Sequence, residues 1–334
     1  GSDLCLLDSL DPAVVTGKVV LCRRGGNGRV EKSLAVLQAG GVGMILYNNS
    51  DSDNLFTDNF WVPTVHLDFT EGSAIKDYIA SHDDPQAKIH RTGKRTVIDD
   101  DPSITIFSSR GPNPSSEDII KPDVTAPGLQ ILAGNSPFPD VDQVQGQMFQ
   151  AIAGTSMSSP HVAGLFALLK QAHPDWSPAA AKSALMTTAN PRVRDNDRVS
   201  RADPFDTGSG HVRPGKVSRP NSMFNPGIVY DASFRDYLGF LCGTGALCAV
   251  PPVDPSDLNY PSIGVGALAG TQTVTRTITS VADRPLTWKA SVAAPAGYDV
   301  VVEPSTITLA PGAAATFTVA ISNNGAGAIG EWAF

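Results

Sequence analysis

Ser156 and His161 lie in one stretch, GTSMSSPHVAGLFALL from Gly154 to Leu169, and are of the types that do covalent chemistry. A serine hydroxyl is a useful nucleophile only where a base takes its proton and where charge growing on the attacked group is held in place. The second condition is met locally. Ser159 supplies a capping hydroxyl and Pro160 a preset first-turn φ, so a helix is expected to begin within a turn of Ser156. Free backbone N–H groups and the positive end of the helix dipole would then stabilise an oxyanion beside Ser156, while Gly154 lets a substrate backbone come close. Val162, Leu165, Phe166, Leu168 and Leu169 cover most of the helix circumference, and a helix apolar nearly all round is expected to be buried. His161, five residues along the same helix, points away from anything Ser156 could attack, so its expected role is that of a buried scaffold histidine. An isolated Gly-Thr-Ser is far more often a plain helix cap, and the rest of the chain has to decide.

Two further strings decide it. GTSMSSPHVAG resembles the nucleophile motif G-T-S-M-x-x-P-H of the subtilisin-like serine proteases, the subtilases. FSSRGPNPSSEDIIKPDVTAPG at 107–128 and HPDWSPAAAKSALMTTA at 173–189 resemble the same family in the same chain order. The longer forms look most like the large subtilases of plants and some bacteria. The resemblance implies a secreted serine endopeptidase acting on a protein or peptide substrate; no cofactor or metal site is read from the sequence. Ser156 would attack the scissile carbonyl, its N–H would help hold the oxyanion, Thr155 Oγ1 would assist, and Gly154 would border the substrate. A sulfoxide on the adjacent Met157 would put a polar group beside the reacting centre. HVAG also occurs in the family's H-G-T-H-V-A-G motif, whose catalytic histidine is the first one, so His161 is not the base. Arg110, Asp123 and His211 fall in segments that the family uses as scaffold. Its aspartate and H-G-T-H motifs and its oxyanion asparagine are not in these residues, and by the family's Asp, His, Ser order they would lie ahead of residue 1. The chain is therefore expected to be the carboxyl-terminal part of a protease, inactive alone and needing that upstream part as its partner. The competing expectation is a non-catalytic interaction fragment or pseudoenzyme.

Composition is compatible with this. The chain of 334 residues exceeds one ordinary core and suggests two or three domains. Charged residues are 17%, and 31 glycines with 26 prolines favour a turn-rich globular protein. A net charge of -8 without a basic counter-patch argues against nucleic acid, and no apolar run reaches membrane-spanning length. The cysteines fall into local pairs, Cys5 with Cys22 and Cys242 with Cys248, without metal spacing; two disulfides in an oxidising compartment are expected. Asn48-Asn49-Ser50 is a glycosylation sequon.

The expected fold is multi-domain. In residues 1–85, strands are expected at Val19 to Cys22, Met44 to Tyr47 and Val62 to Leu67, with helices at Arg29 to Ala39 and about Gly72 to Ala80. VTGKVVLCRRGGNGRVEKSLAVLQAGGVGMILYNN resembles the β-rich protease-associated (PA) domain that large subtilases carry as an insertion, which restricts substrate access and in some members mediates homodimers. Here its start would be missing. Residues 86–250 would be the carboxyl-terminal part of the α/β catalytic domain, with a strand at Ile104 to Ser108, a short buried run at Leu129 to Ala133 and a helix over Ala179 to Thr188. The acidic run Asp99 to Asp101 reads as a solvated loop. Residues 256–334 alternate as half-buried strands, Tyr298, Val300 and Val302 among them, and predict an antiparallel β-sandwich. DLNYPSI and VEPSTITLAPGAAATFTV are similar to the fibronectin III-like domain of plant-type subtilases, here expected to be incomplete.

Overall fold

The computed structural model describes residues 2–90, 101–140, 143–246, 248 and 250–334. Asp99 and Asp100, and most of the segment from Lys88 to Val97, lie outside them. The chain forms two compact units, one of residues 1–100, 105–107 and 127–157, the other of 101–104, 108–126 and 158–334. This division cuts across the sequence modules, because the segment leading to Ser156 packs with the first module.

In the first unit, Asp11 caps a short helix α1 (Pro12–Val15) through its side chain. Three strands, β1 (Val19–Arg23), β2 (Gly43–Tyr47) and β3 (Thr64–Leu67), form a parallel sheet in the order β1-β2-β3. The connections carry α2 (Arg29–Gln38) between β1 and β2, and α3 (Phe69–Ser81) follows β3. A parallel neighbour requires such a crossover, which is why strand and helix periods alternate here. Every residue of β2 is buried, and Met44 and Leu46 join Val36, Val62 and the disulfide-bonded Cys5 and Cys22 in the core. α3 approaches β2 at Gly72, where a Cβ would lie 2.2 Å from Tyr47 Cβ. Lys32 is fully buried, its ammonium donating to Leu4 O at 2.5 Å, Gly25 O at 2.7 Å and Asn27 Oδ1. These three acceptors replace the water that a buried cation gives up. The unit is completed by the antiparallel hairpin β4 (Ile131–Gly134) and β5 (Phe149–Ile152). The run expected to be buried there is not: Leu132 is 73% exposed. A two-stranded hairpin has one face to spare, and among the described residues no third strand pairs with it.

In the second unit, α4 (Thr155–Ala172), whose first three residues belong to the first unit, packs Leu165 and Leu169 on Ala181 and Leu185 of α5 (Pro178–Thr187), and on Val212 and Met223. Ser177 Oγ accepts from Ala180 N–H at 2.9 Å and Pro178 opens α5, as its sequence predicts. α4 departs from expectation: Ala163, Gly164, Ala167 and Leu168 are exposed, as is His161. Composition tells how much apolar surface a helix carries, and here the covering elements reach one stripe of it. Ile104 to Ser108 is not a strand either. Ile104 N–H donates to Arg194 O at 2.9 Å, beside a single bridge at Ser103, and Ile106 N–H donates to the Asn54 side chain at 3.1 Å; among the described residues no neighbouring strand extends the pairing.

Further along the second unit, Asp203 and Ser233 make capping boxes at α6 (Pro204–Thr207) and α7 (Phe234–Gly243). β6 (Ile228–Val229), β7 (Thr271–Ser280), β11 (Ala314–Asn323) and β9 (Tyr298–Glu303) form an antiparallel sheet in the order β6-β7-β11-β9, and β8 (Leu286–Lys289) pairs with β10 (Thr306–Leu309). Val274, Val319 and Val302 are register partners across that sheet, facing the core as the alternation predicts. DLNYPSI is clamped to β7. Arg276, buried with its pKa pushed down to about 10 by desolvation, donates to Tyr260 O and Ser262 O, and Asn259 exchanges bonds with Thr277.

Candidate active site

β5 leads through Ala153 and Gly154 into α4. Gly154 N–H donates to Gly128 O at 2.8 Å, Met157 N–H to Gly154 O at 3.0 Å, and Ser158 Oγ to Ala126 O at 2.9 Å. The KPDVTAPG string therefore anchors the backbone around the serine, a scaffold role. Thr155 and Ser156 are exposed, and among the described residues no group is hydrogen-bonded to Ser156 Oγ. The helix starts earlier than Pro160 suggests: Pro160 lies in its second turn, and Ser156 is the second helical residue. The glycine turn at 154 is sufficient to start a helix, and the proline merely deprives Ser156 C=O of its partner four residues on. The consequence is favourable for chemistry, since the Ser156 N–H sits among the unpaired donors at the positive helix end. A Cβ on Gly154 would meet nothing of the protein nearer than Met157 Sδ at 3.6 Å, so the space beside the serine is open.

Arg110, Asp123, His161 and His211 all belong to the second unit. His161 lies in the second unit and is exposed rather than buried, because α4 is covered on one stripe only. His211 belongs to a backbone lattice, bonding Asn190 through N–H and C=O, with Nδ1 3.3 Å from Thr125 Oγ1; burial, then His161, lowers its pKa. Arg110 is paired with Asp195 at 2.6 Å and with Asp206, and the hydrogen bond to Asp195 helps hold its pKa above the ordinary value. Asp123 lies between Lys121 at 2.6 Å and Lys182 at 2.7 Å. Both are cross-links of the scaffold.

Two sequence expectations are corrected by packing. Asn48 is wholly buried, its Nδ2 donating to Asp53 O at 3.1 Å and Asn54 O at 3.4 Å while Oδ1 accepts from Arg24 at 3.3 Å. A glycan on that amide has no room in this fold. Cys242 and Cys248 are free thiols, one buried at the end of α7 and one exposed, with the Cys248 thiol hydrogen-bonded to Cys242 and to Ala246 O at 3.2 Å. Nearness in sequence brings them together but no S–S bond joins them, whereas Cys5–Cys22 is bonded.

Sequence reasoning missed the polar cluster around Asn48 and the links from the first module to the hairpin. Thr57 Oγ1 donates to Gln130 Oε1 at 2.6 Å, Gln130 Nε2 to Leu55 O at 3.2 Å, and Asn59 Nδ2 to Phe149 O at 3.0 Å. The partners are polar side chains and backbone carbonyls 73 to 90 positions apart, so no local pattern pairs them.

Models of known families match the chain in three places: the subtilase family over residues 43–212, the PA domain over 2–75 and a fibronectin type-III domain over 257–334. Subtilisin-like protease SBT5.4 of Arabidopsis thaliana is 39% identical over 330 residues, 91% of this chain and 41% of that protein. From the same organism, SBT1.6 is 40% identical over 339 residues and SBT1.4 41% over 344, each match covering 91% of this chain and 43% of the relative. The chain spans less than half the length of these relatives. With a family match over half its residues, the chain belongs to the subtilase family.

Proposed function

We propose that the protein carrying this chain is a secreted serine endopeptidase in which Ser156 is the nucleophile. Exposure of Ser156 at the amino end of α4 carries the reading. Ser156 Oγ forms a bond to the scissile carbonyl carbon as its proton passes to a histidine base. The Ser156 N–H, with Thr155 Oγ1, steadies the oxyanion. The C–N bond then breaks, the amine leaves with the proton, and water hydrolyses the acyl-enzyme. The family's Asp, His, Ser order puts that histidine on polypeptide ahead of this chain, and the chain alone is expected to be inactive. Secretion is supported by the Cys5–Cys22 disulfide, a bond typical of oxidising compartments.

Fluorophosphonate labelling with peptide mapping tests this. In the full-length protein the adduct is expected on Ser156, and in the isolated chain at background, since losing a triad member costs on the order of 10⁴-fold in rate. An adduct on another serine, or labelling that persists in Ser156→Ala, refutes the assignment. Background labelling in the full-length protein as well would favour the second reading, a non-catalytic interaction module.

A further inference from the structure

We infer that the cavity between the Asn59 loop and the β4–β5 connection is a substrate subsite for a cationic side chain, arginine or lysine; this rests on the reading of Ser156 as a protease nucleophile. The cavity, of about 310 Å³, is lined chiefly by Asn59, Asn135, Phe138, Asp140, Gln143 and Gln150. That is small for a ligand pocket and matches one long side chain.

Its position ties it to the serine. Gln150 lies on β5, the strand that runs into Gly154 and Ser156, and six residues of chain reach at most about 20 Å. An extended peptide lying against Ser156 therefore brings to the cavity a side chain within about six positions of its scissile bond.

Its chemistry selects a cation. Asp140 is exposed and makes no ion pair among the described residues. Asn59 and Asn135 each commit one amide N–H, to Phe149 O and to Gln147 O at 3.0 Å, and their Oδ1 atoms remain to accept. Among the described residues no lysine or arginine lines the cavity, and Phe138, 86% exposed, offers an aromatic face to a guanidinium or ammonium. A guanidinium brings five donors to such acceptors.

The walls are built before substrate arrives. The Asn59 loop is bound to the hairpin through Thr57, Gln130 and Asn59. Described residues of the 135–148 connection bond to one another, Asn135 N–H to Met148 O at 2.8 Å and Gly146 N–H to Pro137 O at 2.9 Å, and Gln145 Nε2 shares its two N–H groups among three carbonyls at 3.2 Å. A preformed site avoids the ordering cost of binding.

The test is peptide binding to the full-length protein carrying Ser156→Ala, followed by fluorescence anisotropy, with peptides that exchange arginine for the isosteric neutral citrulline at successive positions. At one position arginine should bind about 5- to 10-fold tighter, between the worth of an exposed ion pair and that of a charge-assisted hydrogen bond. Asp140→Asn should bring the ratio close to one, and Asp140→Lys should turn the preference toward glutamate at that position. Equal binding at every position, or a preference that survives Asp140→Asn, overturns the subsite. Cleavage by the protein with Ser156 intact separates the two readings. Ser156-dependent cleavage without the arginine preference removes the subsite alone, whereas selective binding without cleavage removes the protease reading.

Discussion

Asn48 shows how a residue's setting overrides its motif. As a sequon it advertises an exposed amide, but its neighbours make it the hub of a buried network. Phe56 N–H donates to His66 Nδ1 at 3.0 Å, so the ring proton sits on Nε2, which donates to Asn48 Oδ1 at 2.8 Å. His66 is thus a neutral ring, its pKa pushed below the ordinary value by burial and by the nearby cations Arg24 and Arg29, with Phe56 C=O and Asp58 opposing. A base with a folded pKa below its unfolded one binds more protons when unfolded, so its contribution to stability is present above about pH 6.5 and is lost as the pH falls below it. The first unit is therefore expected to lose stability on acidification through this window, and His66→Gln, which keeps a donor for Asn48 without titrating, should flatten that slope in urea unfolding followed at successive pH values. An unchanged slope would place the acid sensitivity elsewhere. The position of Ser156 at a helix start was legible from sequence because a glycine turn, a serine and an apolar run are adjacent in the chain. The bonding of Asn48, His66 and Lys32 was not, because each depends on partners brought in by the fold.

Elements were legible where one period sufficed. α2, α3 and α5, and strands β1 to β3, fall within a few residues of where apolar spacing and caps put them. α4 begins within a turn of Ser156, as expected, but with Pro160 in its second turn and not its first, since a proline marks a place where helices often begin without requiring it. Its cover did not follow, because an apolar helix does not say which of its sides has a neighbour. Gly72 carries the reverse lesson, for nothing in the sequence of α3 announces that its fourth residue must be a glycine. The helix lies so close to β2 that a Cβ there would overlap Tyr47 Cβ and Cγ, at 2.2 and 2.3 Å. Alanine is favoured over glycine by about 1 kcal/mol in a helix interior, but overpacking costs about 1–3 kcal/mol and sometimes more. Gly72→Ala is expected to lower the stability of the first unit by about 1–2 kcal/mol, seen as a lower urea midpoint at unchanged slope. A raised midpoint would mean that α3 shifts off the sheet without cost.

At the scale of the whole molecule, the two compact units make a claim about cooperativity that sequence modules alone do not make. The sequence divides at about residue 85, yet the hairpin over 131–152 lies in the first unit, tied to the PA region through Thr57, Asn59 and Gln130. The Cys5–Cys22 disulfide closes a loop of sequence separation 17 in that unit, and a cross-link of this length restricts the unfolded chain by about 3 kcal/mol. Reduction should therefore weaken the first unit alone. In hydrogen exchange, amides of β1 and β2 and those of β4 and β5 are expected to lose protection together on reduction, since the hairpin opens with the sheet to which it is tied. Amides of β7 and β11, in the second unit, should exchange as before. If the hairpin kept its protection while β1 and β2 lost theirs, the links through Asn59 and Gln130 would be contacts without cooperativity. The preformed wall of the proposed subsite would then have to be maintained by the 135–148 connection alone.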